Sequence, residues 1–321
     1  MSTIDIIIPC YNEEEGILNF HIEVCKILNQ IKNYSFRFIY IDDGSKDHTL
    51  LSLIKLHSEN ENVDYISFSR NFGKEAAMYA GLKNSTGDYV IIMDADLQHP
   101  PSMIPDMLLG INEGYDCCAA RRISRKGESP IRSFFSQSFY HLNNHISKTK
   151  MAYGAVDFRI MSRQMVNSIL ELSEVERFSK GIFSWVGYTT KWLPYENVER
   201  QLGVSKWSFL SLLEYAIDGI TAFSVAPLKL VSIIGMFISL ISFIYIVITI
   251  FQTLIFGIIV PGYVTTLCAV LFMGGIIELS IGILGEYISK IYLETKDRPI
   301  FITKKSSIDD KLNSNTDKNI H

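Results

Sequence analysis

Cysteine is scarce in this 321-residue chain, and what there is stands unpaired. Cys10, Cys25, Cys117, Cys118 and Cys268 form no Cys-x-x-Cys spacing, which leaves out paired-cysteine motifs and suits a reducing compartment. Adjacent Cys117 and Cys118 read as strand residues on opposite faces. Positive charge is not in excess: 30 Lys and Arg stand against 34 Asp and Glu, a formal charge of −4. With only one short basic run, no nucleic-acid partner is expected. A Gly-x-Gly-x-x-Gly after the first strand is missing, so there is no Rossmann dinucleotide fingerprint, and there is no P-loop. The first twelve residues lack a basic region and hold only Ile6–Ile8 as an apolar run before Pro9. They make no signal peptide, so the first 225 residues are expected in the cytosol. Finally, no charge occurs from Leu230 to Ile277.

What is present alternates. Apolar runs at 4–9, 36–41, 63–68, 90–93 and 115–120 read as strands. Between them, residues 13–31, a stretch capped by Ser45 or Asp47 and running to about His57, 75–84, and a segment opened by Pro100-Pro101 and reaching about Asn112 read as helices. That order predicts βαβ units: a mostly parallel sheet with helices on both faces. Residues 163–172 read as a further helix and 192–195 as a short strand.

The strand ends carry the chemistry. Such sheets bind ligands beyond the carboxyl ends of their strands. That edge would collect Tyr11, Asn12, Asp42, Asp43, Arg70, Asp94 and Asp96. Asp94 and Asp96, one residue apart, can face one hard cation such as Mg2+ or Mn2+ together with substrate phosphates; otherwise they form a solvated turn. Arg121, Arg122, Arg125, Lys126 and Arg132 then fall within twelve residues, as a solvated face or a phosphate site. Asp157 lies in an apolar neighbourhood beside Gly154; its bland reading is a salt bridge to Arg159 or another arginine.

The uncharged run is long enough for two spans of roughly 20 residues each, with Pro261-Gly262 as the turn. Lys229 precedes it, Lys290, Lys296 and Arg298 follow it, and the connecting loop has neither Lys nor Arg, which puts both termini on the cytoplasmic side. Residues 207–223 repeat apolar positions at helical spacing, as an amphipathic helix at the membrane surface would. Gly274, Gly275, Gly282 and Gly285 suggest close helix packing and a homo-oligomer. The expected divisions are a cytosolic domain over 1–205, an interface helix over 206–225, two transmembrane helices over 226–294 and a disordered cytosolic tail over 295–321.

Six stretches in order carry a resemblance: Ile8-Pro9-Cys10-Tyr11-Asn12-Glu13, Asp42-Asp43-Gly44-Ser45, Ser69-Arg70-Asn71-Phe72-Gly73-Lys74, Asp94-Ala95-Asp96-Leu97-Gln98, Asp157-Phe158-Arg159 and Gly203-Val204-Ser205-Lys206-Trp207. Together with the C-terminal hairpin, the chain resembles the membrane-bound polyprenyl-phosphate glycosyltransferases of glycosyltransferase family 2, of GT-A fold. The bactoprenol glucosyltransferases are the nearer relatives and the dolichyl-phosphate mannose synthases the further ones. The resemblance implies that Pro9, Tyr11, Glu13, Asp42 and Asp43 hold the nucleoside of a nucleotide-sugar, with Arg70 on the same donor. It implies that Asp94 and Asp96 hold Mg2+ or Mn2+ on the diphosphate, with Gln98 nearby, and that Arg200 and Lys206 lie near the diphosphate and lipid head. Arg122, Arg132 and Ser136 match an acceptor-phosphate site, and Asp157 a carboxylate often assigned as catalytic base. Processive synthases of the family carry Gln-x-x-Arg-Trp and more spans; this chain has neither, which favours transfer of a single sugar.

The implied reaction is inverting, metal-dependent transfer of one hexose, glucose first, from a UDP-sugar to undecaprenyl phosphate at the cytosolic leaflet of the plasma membrane, for surface polysaccharide modification. UDP-N-acetylglucosamine or another UDP-sugar is the alternative donor. A non-catalytic membrane scaffold is the alternative of another class.

Overall fold

The computed structural model describes residues 1–123, 149–150, 152–196, 221, 224–256 and 262–309. Eight strands form one sheet in the order β7-β5-β6-β4-β1-β2-β3-β8. Its central strands are β1 (Ser2–Cys10), β2 (Tyr34–Asp42), β3 (Val63–Phe68) and β4 (Tyr89–Ile92). All four run parallel, as the alternation predicts. The helices between them are α1 (Ile17–Leu28), α2 (Thr49–Glu59) and α3 (Lys74–Asn84). After a 3-10 turn at Pro101–Met103, α4 spans Ile104–Asn112 and leads into β5 (Cys117–Arg122).

The strands bury both faces, and the period-2 pattern divides them. Ile4, Ile6, Ile8, Phe38, Tyr40, Met93 and Cys118 pack with α1, α2 and α4. Ile7, Ile39, Ile41, Ile92 and Cys117 face α3 on the other side, with α5 (Arg163–Leu170) and α6 (Ser179–Trp185). Cys117 and Cys118 therefore do point to opposite faces. Each fully buried aliphatic or aromatic side chain stabilises this layer by about 1.5–3 kcal/mol relative to exposure.

The sequence pattern gives no orientation for two strands that matter most. β6 (Ala155–Ser162) is antiparallel to β4 and to β5, and β7 (Thr190–Tyr195) is parallel to β5. Because β6 is reversed, its beginning lies at the edge where β1, β2 and β4 end. The β4–β6 register pairs Ile92 with Arg159; continued two residues on from Ile92 and two back from Arg159, it brings Asp94 opposite Asp157.

Past the sheet, α7 (Ala226–Phe256) and α8 (Tyr263–Thr295) have 31 and 33 residues and are long and apolar enough to cross a membrane. Among the described residues, nothing lies within 4 Å of a Cβ built on Gly274, Gly275, Gly282 or Gly285. The expected disordered tail is corrected in its first part. Thr303–Ser306 is a strand, β8, antiparallel to β3. Ser307 is 3% exposed, its hydroxyl donating to Asp64 at 3.0 Å and accepting from the Tyr65 N–H at 3.0 Å. Polar composition misled here because an edge strand needs backbone partners more than apolar side chains. The 207–223 segment, apart from Thr221, lies outside the described residues.

Candidate active site

The loops after β1 and β2 are laced together. The Asn12 N–H donates to Ser45 Oγ at 2.9 Å, the Glu13 N–H to Thr49 Oγ1 at 2.8 Å and the Lys46 N–H to Asn12 Oδ1 at 2.9 Å. Asp47 Oδ1 accepts from the Thr49 N–H at 3.0 Å, so it serves the start of α2, while Ser45 serves the neighbouring loop. Pro9, Tyr11 and Glu13 are half-buried along this wall.

Asp42 and Asp43, expected to hold the nucleoside, face inward. Asp42 is 1% exposed and accepts from the Ser45 N–H at 3.0 Å and the Ser67 hydroxyl at 2.6 Å. Asp43 accepts from the Phe72 and Gly73 N–H groups at 2.6 and 2.9 Å. Burial pushes its carboxyl up to about 6, the Asp42 charge adding to that and the two N–H bonds and Arg70 opposing it. Here the pair braces this edge of the sheet, Asp43 fixing the 69–73 loop that leads into α3. Gly44 has φ +65°, and a Cβ there would meet the Arg70 backbone at 2.3 Å, so only glycine lets the two loops cross. Arg70 is exposed, its guanidinium 4.1 Å from the Phe72 ring centroid.

The centre of the edge is an ion cluster. Lys74, the first residue of α3, places Nζ 2.6 Å from Asp94 Oδ1 and 2.7 Å from Asp157 Oδ2. The lysine side chain is 42% exposed and the carboxylates 23% and 14%. Burial disfavours the ammonium, but the two carboxylates outweigh it and hold Lys74 above the usual lysine range. For Asp157, burial is likewise outweighed by Lys74, Lys180 and Arg159, which hold its carboxyl well below the usual range. The expected Asp157 salt bridge is made to Lys74. Arg159 instead donates to the Val156 carbonyl at 2.8 Å and lies 3.8 Å over the Phe183 ring.

Asp96 Oδ1 accepts from the Gln98 N–H at 3.1 Å, across Leu97, which has φ 55°. His99 is 4% exposed and stacked on Phe158; its Nδ1 has no hydrogen-bond partner among the described residues and lies 3.8 Å from Asp94 Oδ2. Burial lowers its pKa, although the nearby Asp94 charge raises it. Two carboxylates with an unpartnered buried nitrogen beside one of them fit a hard divalent cation whose remaining ligands come from a diphosphate. Asp94 and Asp96 would hold it. Among the described residues, no group of three or more His, Cys, Asp and Glu side chains forms a closed metal site.

Arg122 closes the edge from β5. Its N–H donates to the Gly154 carbonyl at 2.9 Å. Gly154 has φ +74°, and a Cβ there would come within 2.4 Å of the Arg122 carbonyl oxygen. Arg132, Ser136, Arg200 and Lys206 lie outside the described residues. Sequence reasoning passed over Lys74, His99 and Glu75. The signal for Lys74 was a lone cation opening a helix beside three acidic strand ends. Glu75 accepts from the Ser179 N–H at 3.0 Å and from the Ser179 hydroxyl. Its burial, aided by the Asp157 charge and opposed by Ser179 and Lys74, pushes its carboxyl up to about 7.

A mostly parallel sheet with acidic and basic groups at one edge, followed by two helices long and apolar enough to cross a membrane, is a GT-A-like fold with a C-terminal hairpin. Residues 5–170 match the glycosyl transferase family 2 profile, and residues 226–291 match the GtrB C-terminal hairpin. The chain belongs to glycosyl transferase family 2 and is a glycosyltransferase. The glycosyltransferase-like protein CsbB of Bacillus subtilis (strain 168) is 48% identical over 96% of this chain and 93% of its own length. The SfII prophage-derived bactoprenol glucosyl transferase of Shigella flexneri is 42% identical, over 94% of this chain and 98% of that one. The prophage bactoprenol glucosyl transferase homolog of Escherichia coli (strain K12) is 40% identical over the same shares.

Proposed function

We propose that this enzyme transfers one glucosyl residue from UDP-glucose to a polyprenyl phosphate, at the cytosolic leaflet of the plasma membrane, with inversion at the anomeric carbon. The observation that carries this is the Lys74–Asp94–Asp157 cluster at the sheet edge, in a chain similar along nearly its whole length to bactoprenol glucosyl transferases. The flanking Lys229, Lys290, Lys296 and Arg298 support the cytosolic orientation.

In this reading, Tyr11, Glu13 and Arg70 line the donor pocket that Asp42 and Asp43 brace. A phosphate oxygen of the acceptor attacks the anomeric carbon, the bond to the donor diphosphate breaks, and UDP departs with the electron pair. Asp94 and Asp96 would hold Mg2+ or Mn2+, which would neutralise charge growing on that diphosphate. Lys74, held at the same edge by two carboxylates, adds a fixed positive charge. The second pKa of a phosphate is about 6, so the acceptor needs little help from a base near neutral pH. Asp157, ion-paired and held ionised, serves as the counter-ion that orients Lys74. Arg122 faces the acceptor phosphate.

The test is to incubate membranes containing the protein with labelled UDP-sugars and a short polyprenyl phosphate, then weigh the lipid product. A gain of one hexose from UDP-glucose is expected. A gain of an N-acetylhexosamine would reassign the donor, and no product would remove the reaction. Retention of the donor's anomeric configuration would overturn the in-line attack.

A further inference from the structure

α8 does not end where a membrane would. At 1.5 Å per residue its 33 residues extend about 50 Å, against a hydrocarbon core of about 30 Å. Of its charged residues, Glu286, Lys290 and Glu294 fall in the last third and Glu278 stands near the middle. The final turns therefore stand out of the hydrocarbon on the side of the sheet, and they are docked there. Glu294 Oε1 accepts from the Val175 N–H at 2.9 Å and the Glu176 N–H at 3.5 Å. Lys290 Nζ lies 3.1 Å from Glu176 Oε2 and is 16% exposed. The Tyr287 hydroxyl donates to the Ser224 carbonyl at 2.6 Å, fastening the same turns to the approach to α7.

Beyond Thr295 the chain reaches the end of β3 and the loop that follows it. Phe301 stacks on Phe68 at 4.9 Å between centroids, and the Ser69 N–H donates to the Ile302 carbonyl at 2.9 Å. Phe301 also meets Tyr79 edge-on at 6.4 Å, and Tyr79 takes the Arg177 guanidinium at 4.5 Å. The two grips thus meet through Tyr79. One holds the loop that opens into Lys74. The other holds the segment before Ser179, whose hydroxyl and N–H bind Glu75, the next residue after Lys74.

We propose that Glu294, assisted by Lys290, is a positioning residue for a membrane-embedded acceptor: the docked end of α8 fixes the distance and tilt of the Lys74–Asp157 pocket over the membrane surface. This rests on the lipid-phosphate reading of the acceptor. A rigid seat matters there because the headgroup of an embedded lipid cannot rise to meet a pocket that rocks away. A freely dissolved acceptor has no such constraint, and this difference makes the idea testable.

The full chain is reconstituted in vesicles as wild type, Glu294→Ala, Glu294→Gln and Lys290→Ala. Each is assayed with a long-chain polyprenyl phosphate in the bilayer and with a short-chain prenyl phosphate dissolved in buffer. For Glu294→Ala and Lys290→Ala the KM for the embedded acceptor is expected to rise roughly fivefold, these contacts being partly exposed. The KM for UDP-glucose and turnover with the dissolved acceptor stay at wild-type values. Glu294→Gln, whose amide oxygen can still accept both N–H bonds, recovers most of the loss. Equal losses with both acceptors would mark a general structural defect and overturn the proposal, as would no change with either. If the wild type uses neither acceptor, the lipid-phosphate reading itself falls, and this proposal with it.

Discussion

The Lys74 ammonium lies 2.7 Å from the Asp157 carboxylate, although 83 residues separate them in the chain. The contact joins the first turn of α3 to the start of the reversed strand β6, and Asp94 completes it from the end of β4. One cation between two acidic strand ends is the arrangement from which the following expectations derive.

Lys74→Ala should lower turnover by about 10²–10³-fold, the range found when a fixed stabilising donor is removed. Lys74→Arg should recover part of it, since the fork restores charge but not the geometry of a point ammonium. UDP binding by calorimetry should change far less than turnover. A wild-type rate in Lys74→Ala would remove the residue from the reaction.

Asp157→Asn separates a counter-ion from a general base. Loss of a needed base costs about 10²–10⁴-fold. Loss of an orienting charge should cost about tenfold and leave the shape of the pH–rate profile unchanged between pH 6 and pH 9, an expectation on the order of one lost ion pair. Loss of the limb that reports a titrating base would reverse the assignment.

Removing divalent cations with a chelator should abolish transfer, and Mg2+ or Mn2+ should restore it. Asp94→Asn and Asp96→Asn should raise the cation concentration needed for half-maximal rate. Full activity after exhaustive chelation would dissociate the two aspartates from a metal.

Asp43 and Glu75 set a pH dependence of stability. Their carboxyls lie at about 6 and about 7 in the folded chain, above the usual unfolded values of about 4. At these two groups the folded state therefore binds more protons between those limits, and their contribution to stability falls as pH rises from about 4 to about 7. Above that window their contribution is constant. In detergent, the wild-type Tm should fall more, or rise less, across this range than that of the Asp43→Asn, Glu75→Gln double variant, whatever the change in absolute Tm.

Truncation before Thr303 should lower Tm and promote aggregation. It removes β8, exposes the N–H and C=O groups of β3, and leaves Asp64 without the Ser307 hydroxyl. Unaltered melting would mean the strand adds nothing to the fold.

Much of this was legible in the chain. The alternation of apolar runs and helical periods gave β1 to β5 and their intervening helices within a few residues, because each element buries a face that its own residue pattern encodes. The same logic gave the two long apolar helices, and it put Asp94 and Asp96 just beyond the carboxyl end of β4. Where reasoning stopped short, the cause was partnership between distant segments. Asp42 looked like a ligand residue and is a buried brace, since only packing reveals that Ser67 and Ser45 meet it. Ser307 lay in a polar tail and is almost fully buried, because the partner that satisfies it, Asp64, is 243 residues away.

Sequence by itself determined the layers, the membrane hairpin and the kinds of charge gathered for the reaction, since local period and residue chemistry require no distant partner. The tertiary structure decided which charges act together. Reversal of β6 brings Asp157 opposite Asp94, and the close seat of α3 puts Lys74 between them. No spacing along the chain encodes strand direction, so the counter-ion of Lys74 became visible only when the sheet was assembled.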